Sequence, residues 1–234
     1  INGFIIGTSL GLTSGFTISV AQAYGARKFD KMNKYAGNSI TLAFVIGMVI
    51  MIVAHFLSRP LLKAIDTPDD IIDMSAQYID VLYYAVPIQM SLNNFNALSR
   101  AVGDSKRPLY FLIVSVIVNL LLDILFVGAF KWGVIGAAWA TAISELVAAV
   151  LSAISVLKYT EEYNIDKTAL KIDGKVSWAQ IKIGIPISLQ FSITSIGSMV
   201  LQTAVNGFGS SVIAGFTAAG RVEQLTNIPM SGLG

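Results

Sequence analysis

The sequence predicts an all-α membrane protein, a polytopic bundle of about seven transmembrane helices. Three observations predict it. The chain of 234 residues is 54% hydrophobic and only 13% charged, where a soluble domain carries about 25% charged residues. Its apolar residues gather in seven long segments, roughly 1–23, 36–58, 75–98, 109–130, 134–157, 178–206 and 210–234. At about 1.5 Å per residue, some twenty residues cross a bilayer core of about 30 Å. Finally, basic residues fill alternate connections. Twelve of the sixteen Lys and Arg lie after the first segment (Arg27, Lys28, Lys31, Lys34), the third (Arg100, Lys106, Arg107) and the fifth (Lys158, Lys167, Lys171, Lys175, Lys182). Basic connections stay cytoplasmic. The first segment therefore runs inward and the 158–177 connection faces the cytoplasm.

Each segment has its own punctuation. The first opens on INGFIIGTSLGLTSGF, apolar from the start, and the chain closes on IPMSGLG. Both ends read as cut from within hydrophobic helices, so the expectation is a fragment of a longer protein. The second segment stops at Arg59-Pro60, before Thr67-Pro68-Asp69-Asp70. The third carries Pro87 and ends before the turn Gly103–Pro108. The fourth, Leu109 to Phe130, is joined to the fifth by Lys131-Trp132-Gly133, too short for anything but antiparallel neighbours. The fifth holds Gly136, Ala137, Ala138, Ala140 and Ala142, small residues that let helices approach. Residues 158–177, KYTEEYNIDKTALKIDGKVS, form the one long polar connection. The sixth segment carries Pro186 near its expected start, where proline is tolerated; the seventh follows Gly207-Phe208-Gly209 and contains Pro229. The expected organisation is 1–157 as most of an amino-terminal lobe, 158–177 as an inter-lobe linker, and 178–234 as the start of a second lobe.

Several function classes fall away. Cysteine is absent, so there are no disulfides or thiolate metal sites. The single histidine, His55, leaves little for His-based catalysis and reads as interfacial. A net charge of +2 without a dense basic run gives no nucleic-acid partner. No GxxxxGK[ST], HExxH, GxSxG or GxGxxG motif occurs. The expectation is a protein that is not an enzyme.

The polar residues inside the apolar segments carry the chemistry. Asp123 is a lone carboxylate in LYFLIVSVIVNLLLDILFVGAF. An acidic group at that depth costs several kcal/mol unless paired, hydrated or protonated. Asn119 lies four residues earlier, on the same helix face, and an amide beside a carboxylate offers oxygens to a cation or a cradle to a proton. Thr141 and Glu145 repeat that spacing on the next segment. Counted from the connecting turn, Asp123 and Thr141 lie at similar depth. Glu145 is open to two readings, a second titrating group or a polar residue facing a water-filled cavity. Gln190, Thr194, Ser198 and Gln202 recur every four residues and form a candidate substrate path or inter-helix contact. Arg221 and Glu223, in the last segment, are cavity candidates; two residues apart, they do not face each other.

The ordered motifs resemble those of the multidrug and toxic compound extrusion (MATE) antiporters. The matching pieces are SVAQAYGARKFDKMNKYAG at 19–37, ALSRAVGDSKRPLYF at 97–111, VNLLLDILFVGAFKWGVIGAAWATAIS at 118–144 and GIPISLQFSITSIGSMVLQTAVNGFG at 184–209. The resemblance implies twelve helices in two six-helix lobes, of which this chain spans helix two to helix eight. It implies a cation site of Asn119, Asp123 and Thr141, completed by an Asp on a helix before residue 1. Some members place a Glu on helix seven for Na⁺ coupling; the aligned residue here is Thr194, which does not ionise. The implied activity is export of organic, cationic or amphipathic drugs in exchange for H⁺ or Na⁺. No cofactor is expected beyond that ion, and Na⁺ at Asp123 is the only metal. The expected partners are the lipid bilayer and small organic substrates, and the intact protein is expected to be a monomer in a bacterial or archaeal plasma membrane. Two alternatives stay open. One is a lipid-linked oligosaccharide flippase of the same superfamily, for which Arg221 is the only cavity cation. The other is a non-transporting membrane subunit.

Overall fold

Helix ends in this chain are set by a few turn residues, and six helices result among the described residues. A computed structural model describes residues 2–64, 69–166, 168–206, 215–216 and 219–220. The helices are α1 (Asn2–Gly25), α2 (Phe29–Ala64), α3 (Asp69–Ala101), α4 (Lys106–Asp123), α5 (Gly133–Ile154) and α6 (Gly174–Asn206). Two of them loosen into π-helical segments, α4 over Ile124–Ala129 and α5 over Ser155–Tyr159. After α3, Gly103 takes φ +88°. Its N–H reaches the Arg100 carbonyl and the Asp104 N–H reaches Ser99, at 2.9 and 3.0 Å, a glycine-dependent helix stop. Asp104 Oδ1 then accepts from the Lys106 and Arg107 N–H groups that open α4. Gly133, at φ +59°, starts α5 after the expected tight turn.

Two prolines behave differently from the sequence expectation. Pro60 lies inside α2, which continues to Ala64; near a helix end only one lost N–H has to be accommodated. Pro186 is not near a start, because α6 begins at Gly174 and the proline falls within it. There it frees a carbonyl one turn earlier and permits a bend. The seventh expected segment lies almost wholly outside the described residues.

Among the described residues, three helical stretches are long and apolar enough to cross a membrane on composition alone: Phe29–Pro60, Lys106–Ala129 and Gly133–Tyr159. The other helices dilute their apolar residues with Gly, Ser, Thr, Asn and Gln. Packing explains the difference for α1 and α6, which lie antiparallel in close contact. Gly7, Gly11 and Gly15 recur every four residues on α1 and meet α6 at Ser195, Ser188 and Gly184. A methyl group added at Gly11 would collide with the Ser188 backbone, and one at Gly15 with the Gly184 backbone. Thr8 and Ser192 share a hydroxyl hydrogen bond of 3.0 Å across the same seam. Small residues on both helices bring the backbones together, the usual basis of helix association in lipid. Buried Thr13 and Thr17 donate to carbonyls of their own helix, satisfying themselves without a partner.

The remaining helices follow from this seam. α2 packs on α3, with Gly47 against Pro87. α5 packs between α3 and α4. The connection after α5 is strapped down rather than free. Tyr163 donates to the Leu98 carbonyl at 2.9 Å, Asn164 N–H donates to Asn33, and Thr41 donates to the Leu170 carbonyl at 2.7 Å. The Tyr163 phenol is held above its ordinary range, first by burial and then by the neighbouring Glu162 and Tyr24. It stays a neutral donor. Beneath it, Val20, Met32, Leu98 and Val156 form the buried apolar cluster at this end of the bundle.

Candidate functional site

The α4–α5 hairpin carries the cation-site candidates, and two contacts fix its register. Ser115 donates to the Ser144 carbonyl at 3.0 Å. Nearer the connecting turn, Gly136 faces Phe126, whose Cβ would lie 3.1 Å from an added methyl. Phe126, Phe130 and Trp132 stack around this end. Counting along the helices from the Ser115–Ser144 contact, Asn119 lies about 6 Å towards the turn and Thr141 about 4.5 Å. They are level. Asp123 lies about 12 Å from the same contact, roughly one turn further out. Counted instead from the Gly136–Phe126 contact, Asp123 lies about 4.5 Å and Thr141 about 7.5 Å back along their helices, which leaves these two about 3 Å apart in depth.

Asp123 is the last α-helical residue before the π-helical segment. A π segment widens the turn and displaces backbone bonds, and such segments are frequent at functional sites. Its side chain is partly buried. One oxygen, Oδ1, is enclosed and has no hydrogen-bond partner among the described residues. Buried polar atoms are normally satisfied, so this oxygen is available to a ligand. Thr141 donates to the Ala137 carbonyl of its own helix at 3.0 Å, which leaves its oxygen lone pairs free to accept or to coordinate. No hydrogen bond joins Asn119, Asp123 and Thr141 among the described residues. They share one region of the hairpin as separate groups.

Glu145 lies elsewhere, on the side of α5 that meets α3. Its Oε1 accepts from Gln89 Nε2 at 3.3 Å. One heptad on, Ser152 donates to Asn96 Oδ1 at 3.1 Å. The constant offset shows that α3 and α5 run parallel. Neither Gln89 nor Asn96 stood out in the sequence. The available signal was their spacing, which with Asn93 places three amides along a single helix face.

The polar stripe of α6 is split. Gln190, Thr194 and Ser198 are exposed. Thr194 donates to the Gln190 carbonyl and Ser198 to the Thr194 carbonyl, each at 3.0 Å. The face of α6 that grips α1 is instead Gly184, Ser188 and Ser192. The side chain of Gln202, and Arg221 and Glu223 altogether, lie outside the described residues. His55 pairs with Asp80 of α3 at 3.2 Å and rests near the Tyr84 ring.

A buried hub that the sequence did not suggest ties α6 to α1 and α2. Asn38 and Gln180 are fully buried. Asn38 Nδ2 donates to Gln180 Oε1 at 2.8 Å and to Ser177 Oγ at 3.1 Å. Asn38 Oδ1 accepts from the Asp173 N–H and from Ser177. Gln180 Nε2 completes the set on the Phe16 and Tyr35 carbonyls. At its rim, Asp173 meets Lys34 at 2.6 Å and accepts from the Lys175 and Val176 N–H groups that open α6. Those contacts, Lys34 first, hold the Asp173 carboxyl below the ordinary carboxylate range.

Known proteins share this architecture. The family model described as MatE matches residues 1–125. The Bacillus subtilis (strain 168) "Probable multidrug resistance protein YoeA" is 30% identical over 98% of this chain. The Staphylococcus aureus (strain MRSA252) "Multidrug export protein MepA" is 24% identical over 97%. The chain spans about half the length of these relatives, 51% and 50%. Among solved structures, a crystal structure of MATE in complex with MaD3S superposes with a TM-score of 0.89 at 25% identity, covering 98% of this chain and 52% of that one. An inward-facing MATE family transporter of the MOP superfamily gives 0.82 at 25% identity, over 97% and 52%. The chain is an integral membrane protein, and with more than half of it matched by the family model, it belongs to the MATE family.

Proposed function

We propose that this chain forms most of the first lobe and the start of the second lobe of a secondary active transporter that exports organic compounds in exchange for H⁺ or Na⁺. Asp123 is the coupling residue, with Asn119 and Thr141 contributing oxygens as it takes the cation. The observation that carries this reading is the enclosed Oδ1 of Asp123, without a partner among the described residues, inside an apolar span at the switch from α- to π-helical backbone. The names of the relatives, multidrug resistance and multidrug export proteins, support a drug as cargo. Cation binding at Asp123 must favour one arrangement of the lobes and drug binding the other, because a ligand moves an equilibrium only through its differential affinity. Linker 158–177 is cytoplasmic in this reading, and the exposed Gln190, Thr194 and Ser198 face the drug path.

The test is dye efflux from cells expressing the full-length chain. Asp123→Asn is expected to reduce efflux to the level of empty cells at unchanged membrane abundance. Normal efflux in that variant would refute the assignment.

A further inference from the structure

We propose that Glu145, held by Gln89, is a second proton-binding site, distinct from Asp123. Its role in coupling rests on the transporter reading above; the site itself does not. The two carboxylates occupy different levels. Glu145 is near the midpoint of the apolar span Gly133–Tyr159, whereas Asp123 is six residues from the end of Lys106–Ala129. The Ser115–Ser144 contact puts Glu145 beside the level of Ser115, about 12 Å along the bundle from Asp123. Glu145 also bonds to α3 through Gln89, a contact that Asp123 does not make among the described residues.

What surrounds Glu145 is neutral. Its one described partner is the Gln89 amide, at a long 3.3 Å. Among the described residues no Lys, Arg or His lies within ion-pair distance of it. On α3, Tyr84, Tyr83 and Asp80 lie five to nine residues to one side of Gln89 and Arg100 eleven to the other, about 8 to 16 Å along the axis. On α4, Tyr110, Arg107 and Lys106 lie five to nine residues from Ser115 on the side away from Asp123, about 8 to 14 Å. A bare carboxylate at mid-bilayer costs several kcal/mol, and a single weak amide bond offsets little of that. A proton from water removes the charge, turning the carboxylate into a carboxylic acid. The new O–H then donates to Gln89 once the amide presents its oxygen, an exchange of ends that the amide allows. One carboxyl and one amide offer too few oxygens to replace the hydration shell of Na⁺.

Infrared difference spectroscopy on the full-length chain in lipid, titrated with acid in KCl, tests this without any substrate. The parent is expected to show a carboxylic-acid carbonyl band that Glu145→Gln loses and Asp123→Asn keeps. Glu145→Asp should retain the band at a shifted frequency, and Gln89→Leu should shift it too. The inference is overturned if Glu145→Gln keeps every band, if the band disappears only in Asp123→Asn, or if NaCl in place of KCl bleaches it. Because no dye or gradient is involved, loss of efflux in Asp123→Asn and loss of the Glu145 band are read separately.

Discussion

The α1–α6 seam and the α4–α5 hairpin solve the membrane problem in opposite ways. At the seam, backbones touch through glycine and serine, Thr8 and Ser192 bond across, Thr13 and Thr17 bond to their own helix, and the Asn38–Gln180 hub pairs each of its amide groups. In the hairpin, α4 presents Leu109, Leu112, Val116, Ile117, Leu120 and Leu121 outward, and its one acid keeps an oxygen without a partner among the described residues. The seam spends its polarity on holding helices together. Helix α4 holds its one acid in reserve. A saturated network resists rearrangement because each broken bond leaves a buried group unsatisfied, whereas an unsatisfied acid changes its interactions whenever a cation arrives. That contrast separates structural polarity from functional polarity in a chain where both look alike in sequence.

The largest effect is expected where the contrast is most rigid. Gly15→Val places side-chain atoms against the Gly184 backbone, so the seam must part. Overpacking of this kind costs about 1–3 kcal/mol or more, and thermal melting of the purified protein should show it. Gly25→Ala, which meets nothing within 4 Å, should melt like the parent. Equal melting of the two variants would mean that α1 and α6 are not in this contact.

A smaller effect tests whether the hub is saturated. Asn38→Ala and Gln180→Ala should each destabilise by about 1–3 kcal/mol, the cost of orphaned partners. The double variant should lose less than the sum, giving a coupling of about 0.5–3 kcal/mol. Additive losses would break the claim that the two amides act as one unit.

The smallest effect lies at the exposed rim. Asp173 has its folded-state carboxyl held below the ordinary range, chiefly by Lys34. A depressed carboxyl stabilises the fold above the unfolded value, near pH 4, and loses that contribution as pH falls through the folded value. Asp173→Asn keeps a capping residue at the start of α6 but should melt slightly below the parent at pH 7. The difference should shrink as pH falls below about 4 and vanish only once pH lies below the lower folded-state value. A difference that persists in acid would assign the effect to something other than charge.

The hairpin was easier to read from sequence than the seam. Leu109 to Phe130 is apolar throughout, Lys131–Gly133 is an unmistakable tight turn, and Asp123 stands out because nothing near it is charged. Local pattern suffices when a helix faces lipid. The Gly7, Gly11 and Gly15 spacing was equally visible, but only the fold shows that its counterpart is Gly184, Ser188 and Ser192. Asn38 meets Gln180 across 142 residues, and Gln89 meets Glu145 across 56; no local period encodes such pairs. The α6 stripe at Gln190, Thr194 and Ser198 was found by period, yet period alone does not say which of two polar faces is buried. Pro60 and Pro186 look like end markers in the sequence because a lost N–H usually sets a boundary, yet both helices continue through them.

The central claim is that Asp123 is where the coupling cation binds. In proteoliposomes containing the full-length chain, dye supplied on one side should drive measurable H⁺ or ²²Na⁺ movement in the opposite direction with the parent. Asp123→Asn should bind and reconstitute normally yet move no cation in response to dye. Dye-driven cation flux at the parental rate in Asp123→Asn would contradict the account.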